Sequence, residues 1–235
     1  MLFSPQIPLK LEPSRENRFD DFVPGPNATV VESLKSALQE PDKLLFLSGP
    51  EGTGKTHLLN AACLAAREQG LTAFYVGLRS MPDGSQQMLE GLENIDLVCI
   101  DDLHKVAGND RWEEALFHCL NRIRTKQGRI FLSSRQRLSA LPFVLPDLIS
   151  RLQGGLRLQL LVLEEPDKIR VLNRHADSLG IDLPEDVGRY LIRHSSRNLG
   201  KLLHMVEGLQ QAAFVSKRRI TIPLAREVLR RGEQD

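Results

Sequence analysis

The sequence predicts an α/β fold, a five-stranded parallel sheet covered by helices, followed by a small C-terminal α-helical unit. Three observations predict it. Short apolar runs alternate with amphipathic helical stretches through the first two thirds of the chain, the pattern of parallel strands joined by crossover helices. Runs such as Leu97–Ile100 are apolar without a break, as strands covered on both faces must be. From about Glu165 the strand pattern stops, and apolar residues recur only at helical spacing.

Each element has its own signal. Residues 1–18 are interrupted by prolines and read as an extended tail, and Phe19–Thr29 is a Pro/Gly-rich lead-in loop. A helix is expected over Val30–Gln39 and a strand over Lys43–Ser48. The next helix, from Lys55, places Leu58, Leu59, Ala62, Cys63 and Ala66 on one face, and Gly70 ends it. Strands follow at Thr72–Leu78 and Ile95–Asp102. A helix from Asp110 carries Trp112, Leu116, Cys119, Leu120 and Ile123 on one face, with Asp110 and Glu113 spaced as a capping box. Strands four and five are expected at Gly128–Ser134 and Leu156–Leu163. The helical unit contains a long segment with Leu199, Leu202, Leu203, Val206, Leu209 and Ala213 in register. The chain thus divides into a tail (1–18), a core (19–164) and a helical unit (165–235).

Composition limits the function classes. The 235 residues are 41% hydrophobic and 26% charged, with a formal net charge of +1, which gives no bulk attraction to nucleic acid or membrane. Cys63, Cys99 and Cys119 form no CxxC pair, so buried free thiols in a reducing cytoplasm are expected. No apolar run approaches the ~20 residues of a membrane span. The first residues lack the basic and apolar regions of a signal peptide.

The stretch SGPEGTGKTH, Ser48 to His57, carries the chemistry. Gly49 to Thr56 fits G-x-x-x-x-G-K-[ST] between a strand and a helix. Gly49, Gly52 and Gly54, with Thr53 between the last two, let backbone N–H groups converge on phosphates, and the helix N-terminus adds its dipole. Lys55 is expected to reach the β- and γ-phosphates of ADP or ATP, with His57 beside it, and the Thr56 hydroxyl to ligate Mg²⁺. Asp101 and Asp102 end an apolar strand. Asp101 is the candidate for Mg²⁺, and Asp102 for orienting or deprotonating an attacking water.

Taken with FDDFVPGPN, LPDLISRL, LPEDVGRYLIRHSSRNLGKLL and RRITIP, these motifs resemble AAA+ ATPases, and within them the DnaA-related replication regulators of the Hda type. The resemblance spans nearly the whole chain and implies a P-loop AAA+ core with a helical lid. It implies further that Phe22 and Val23 edge the adenine side and that Ser133 and Ser134 hold the first-sensor position. Arg151 becomes a trans-acting arginine finger, and Arg197, in the first turn of its helix, a second sensor. Ser134 is shorter than the Asp or Asn frequent there, SSRQR lacks the usual prolines, and Asp102 replaces the glutamate of generic AAA+ ATPases. In the tail, Gln6, Leu9 and Leu11 resemble the bacterial sliding-clamp-binding motif, two apolar side chains for a pocket and an amide for its rim. The DnaA initiator continues into a helix-turn-helix DNA-binding domain, whereas here the chain stops at Asp235, so no dedicated double-stranded DNA reader is expected.

Three functions follow as alternatives. A regulator would bind the DnaA initiator and the DNA-loaded clamp, hold nucleotide as a conformational ligand and self-associate through its outward finger. An autonomous ATPase would act as a helicase loader or remodeller. A plain adaptor would link the clamp to other proteins without needing Lys55.

Overall fold

The computed structural model describes residues 17–82, 84–194 and 198–232. They form two compact units. The first comprises the residues up to Phe19, Thr29–Ser48 and Lys55–Gln159; the second comprises Asp20–Ala28, Gly49–Gly54 and the chain from Leu160 onward.

In the first unit, α1 (Ala28–Gln39), β1 (Leu44–Ser48), α2 (Lys55–Glu68), β2 (Ala73–Gly77) and β3 (Leu97–Asp101) are followed by α3 (Asp110–Thr125), β4 (Arg129–Ser134), α4 (Pro146–Gln153) and β5 (Leu156–Gln159). The sheet runs β2-β3-β4-β1-β5 and every pairing is parallel. Ser48 lies opposite Ser134, and Gly77 opposite Asp101. The polar ends of β1, β3 and β4 therefore share one edge, the carboxyl edge where open parallel sheets take ligands. All five residues of β3 are buried, which accounts for the unbroken apolar run. The expected faces of α2 and α3 are buried, Cys63 and Cys119 among them, as is Cys99 in β3. Burial pushes the Cys119 thiol up to about 11. Among the described residues no helix is long and apolar enough to cross a membrane.

In the second unit α5 (Glu165–Ser178), α6 (Glu185–His194), α7 (Leu199–Ser216) and α8 (Ile222–Gly232) enclose a separate core built on Leu172, Leu191, Leu202, Val206, Leu209 and Leu224. Leu199, Leu203 and Ala213 pack partly buried around it.

Several local expectations need correction. β5 ends at Gln159 rather than Leu163. The Asn27 side chain accepts from the Leu161 N–H at 2.7 Å and donates to the Leu161 carbonyl at 3.1 Å. A side-chain amide thus takes the two backbone groups that a longer strand would present. Asp110 does not cap α3: the N-cap is Asn109, whose side chain accepts from the Trp112 N–H at 3.2 Å, and Glu113 has other partners, described below. α7 opens at Leu199 with Asn198 as its N-cap; Arg197, expected in the first turn, lies outside the described residues. Between β2 and β3 the chain makes three short 3-10 turns, Leu78–Ser80, Ser85–Leu89 and Leu92–Asn94, which carry no strong periodic signal.

Candidate nucleotide site

The acidic tip of β3 organises the polar groups of the first unit. Thr56, the second residue of α2, donates its hydroxyl to Asp101 Oδ2 at 2.5 Å. Tyr75 donates to the same oxygen at 2.9 Å. On the other side Ser133 donates to Asp101 Oδ1, and the Asp102 N–H does so at 3.0 Å. Strand pairing explains the tyrosine: Tyr75 lies opposite Cys99, two residues before Asp101, so both side chains emerge on one face. Tyr75 is held above the usual phenol range by burial first, then by the charge and hydrogen bond of Asp101. It stays a donor. Lys55 opens α2 and is only 6% exposed.

Asp102 has a left-handed backbone, φ +60°, where an aspartate is tolerated better than most side chains. Its carboxylate is 12% exposed and pairs with Arg79, Nε to Oδ2 at 3.1 Å. His104 Nδ1 lies 3.9 Å from Asp102 Oδ1 and accepts from the Arg135 N–H at 3.4 Å, which assigns the ring proton to Nε2. Burial lowers the His104 pKa, with Asp102 opposing and Arg135, Lys105 and Lys55 adding to the fall. The imidazole is therefore neutral at pH 7. Ser134 is buried and accepts from the Gln136 N–H at 3.2 Å. Of the two first-sensor candidates, Ser133 is the one that touches the acidic strand tip. His57 meets the Arg18 carbonyl through Nε2 at 2.9 Å.

The glycines of the phosphate loop belong to the second unit. Gly54 has φ +88°, and a Cβ there would fall 2.6 Å from the Phe22 ring. Gly52 has φ +78°, and a Cβ there would meet Asn198 Oδ1 and the Leu199 N–H, each at 2.8 Å. Glycine is required at both by conformation and by close approach. Phe22 thus lies against the loop, and Val23 is buried. Thr53 donates to the Pro50 carbonyl at 2.9 Å, closing the loop on itself. Asn198 accepts from the Gly200 and Lys201 N–H groups at 2.9 and 3.4 Å. Arg197 lies outside the described residues, as do Gln6, Leu9 and Leu11.

Within the first unit the residues fit a magnesium ion. Two hard oxygen donors, the Thr56 hydroxyl and the Asp101 carboxylate, already converge within hydrogen-bond distance. The loop before them holds positive-φ glycines that a Cβ would obstruct.

Arg151 lies elsewhere. It sits in α4, half-buried, and lines a cleft of about 1010 Å³ with Lys43, Phe117, Asp147, Ser150 and Gly155. The same cleft reaches Leu44, Ile130 and Leu156, residues at the amino ends of β1, β4 and β5. Arg151 is therefore at the opposite edge of the sheet from Asp101, Ser133 and Ser134. Among the described residues none makes an ion pair or hydrogen bond with its guanidinium.

The family described as the bacterial DnaA ATPase domain matches residues 14–159. The chain belongs to that family. Residues 165–229 match the Hda lid domain, which makes it a DnaA-related AAA+ protein of the Hda type. Domain III of the Thermotoga maritima replication initiation protein DnaA is similar over 92% of this chain and 97% of that one, at 22% identity and a TM-score of 0.81. AMPPCP-bound DnaA from Aquifex aeolicus matches 94% of this chain and 70% of its own, at 22% identity and a TM-score of 0.71. The Thermotoga maritima RuvB Holliday junction branch migration motor matches 86% and 68%, at 18% identity and a TM-score of 0.65. These neighbours share the α/β P-loop AAA+ fold.

Sequence reasoning missed three residues, Tyr75 and Arg79 in the first unit and Asn198 in the second. Tyr75 stood in an apolar strand and only the β2–β3 register reveals its reach. Arg79 follows β2 with no motif around it. Asn198 directly follows Arg197 in a stretch already quoted, and an Asn before an apolar helical run is an N-cap signal that could have found it.

Proposed function

We propose that this chain regulates replication initiation by stimulating hydrolysis of ATP held by the DnaA initiator. It docks on the DNA-loaded sliding clamp through Gln6, Leu9 and Leu11, in the bacterial cytoplasm, and offers Arg151 to the initiator's nucleotide. The observation that carries the reading is the place of Arg151: on a short helix at the sheet edge away from the chain's own acidic tip, with no partner among the described residues. A guanidinium so placed is available to a second molecule. Charge develops on the equatorial oxygens of a transferring phosphoryl group, and an inserted arginine stabilises it. The same outward finger fits self-association in the resting form.

The chain's own nucleotide, ADP or ATP, serves as a conformational ligand. Lys55 faces its phosphates, Thr56 and Asp101 hold Mg²⁺, Phe22 and Val23 edge the adenine side, and Arg197 answers the phosphates as second sensor. Bound Mg²⁺ supplies charge neutralisation at the phosphate oxygens. Tyr75 and Ser133 orient the Asp101 carboxylate by donating to it. Asp102, the water-orienting candidate, is held by Arg79, which favours slow turnover by the chain itself. The autonomous-ATPase reading draws on the assembled Thr56–Asp101 pair, and steady-state turnover of the purified chain separates the two.

The experiment is single-turnover hydrolysis of ATP preloaded on the initiator, with clamp-loaded DNA. The chain should accelerate it, and removal of residues 1–16 should abolish the acceleration. Equal rates with and without the chain would overturn the proposal.

A further inference from the structure

Among the described residues Glu113 is the most deeply buried carboxylate, 1% exposed, and nothing in the nucleotide chemistry uses it. It stands in the first turn of α3, where the helix dipole favours an anion, yet its oxygens leave the helix. Oε1 accepts from the Gly108 N–H at 2.8 Å. Oε2 accepts from the Val144 and Leu145 N–H groups at 2.8 and 2.7 Å. Three backbone donors from two separate loops thus meet one buried charge.

The two loops are those flanking the functional elements. Gly108 closes the segment that leaves Asp101 and Asp102. Leu145 is the N-cap of α4, and Pro146 its first residue. The approach to α4, LPFVLP, has prolines at 142 and 146 that donate nothing, and Val144 is 64% exposed. Leu141 is buried and Phe143 and Leu145 pack against the core, so the Glu113 bonds add a backbone fastening to side-chain packing already present. The loops also touch directly: a Cβ on Gly108 would lie 3.3 Å from the Pro142 carbonyl oxygen. Arg151 follows Leu145 by six residues, under two turns of the same short helix. The helix is seated by Leu148 and Leu152, both buried.

We propose that Glu113 is the positioning residue for Arg151. Its carboxylate ties the segment behind the acidic pair to the start of α4, so that the finger's helix keeps one register against α3 and β3. This rests on the reading of Arg151 as a finger. Glu113→Gln keeps the size, removes the charge and turns one acceptor into a donor that faces backbone donors.

The test uses the full chain with three readouts. Amide exchange at Val144, Leu145 and through α4 should quicken roughly 10-fold in Glu113→Gln, while the middle of α3 stays protected. Stimulation of the initiator's ATP hydrolysis should fall by about the same factor, with affinity for fluorescent ADP unchanged. In the Arg151→Ala background, Glu113→Gln should cause no further loss, because both act through one group. Unchanged exchange in α4, or losses that simply add in the double variant, would overturn the proposal. Intact stimulation by Arg151→Ala alone overturns the finger reading and Glu113's link to it; faster exchange in α4 would still uphold the fastening. Should Glu113→Gln fail to fold, Glu113→Asp keeps the charge but is one methylene short of spanning both loops, and it carries the same three expectations.

Discussion

Asp101 shows how much depends on one carboxylate. Thr56, Tyr75, Ser133 and the Asp102 N–H all donate to it, and a carboxylate has about four lone-pair sites to offer. The ionised form is therefore satisfied before any metal arrives. Lys55 and Thr56 were named as candidates by one contiguous motif, and Asp101 by its place at the end of an apolar run. Tyr75 was not, since it reaches Asp101 from a neighbouring strand; Ser133 was named with Ser134 for the first sensor, but its bond to Asp101 depends on strand pairing. His104 gives a pH signature. Its folded-state pKa is lowered, chiefly by burial, so the folded state prefers the neutral ring. That preference is fully met above the unfolded value of about 6.5 and is lost as pH falls from there toward the folded value. Urea unfolding at descending pH should show stability declining below about pH 6.5, and His104→Gln should flatten that decline. An unchanged decline in the variant would remove His104 as its source.

The secondary elements were legible wherever apolar periodicity was long, as in α2, α3 and α7. They were misjudged where a single side chain overrides the pattern. β5 stops early because Asn27, 134 residues before its partner Leu161, takes that residue's N–H and carbonyl; no local window contains that information. Asn27→Ala would remove both hydrogen-bond partners of the part-buried Leu161 backbone, at a net cost of about 0.5–1.5 kcal/mol per bond. Chemical denaturation should report that loss with an unchanged slope, and a loss within error of zero would mean water satisfies Leu161. The apparent capping box on α3 failed for a related reason. Asn109 occupies the cap, which frees Glu113 to bind the start of α4 from inside the protein.

Membership of the DnaA ATPase-domain family and the Hda-type lid followed from motifs spread along nearly the whole chain, and the parallel sheet and helical unit follow the expected order. A formal net charge of +1 gives no broad surface field, which suits the proposed local recognition through the tail motif and Arg151. What the sequence could not supply is which sheet edge each group faces. The cleft shared by Arg151, Leu44, Ile130 and Leu156 places the arginine away from the strand tips that carry the chain's own acidic groups. The most direct measurement is therefore hydrolysis of initiator-bound ATP, with clamp-loaded DNA, by the parent chain and by Arg151→Ala. The variant should retain its ADP affinity and its binding to the clamp. Its stimulation should fall by a large part of the roughly 10³–10⁵-fold that such arginines contribute. Undiminished stimulation by a folded, clamp-bound Arg151→Ala chain would contradict a trans-acting role for Arg151.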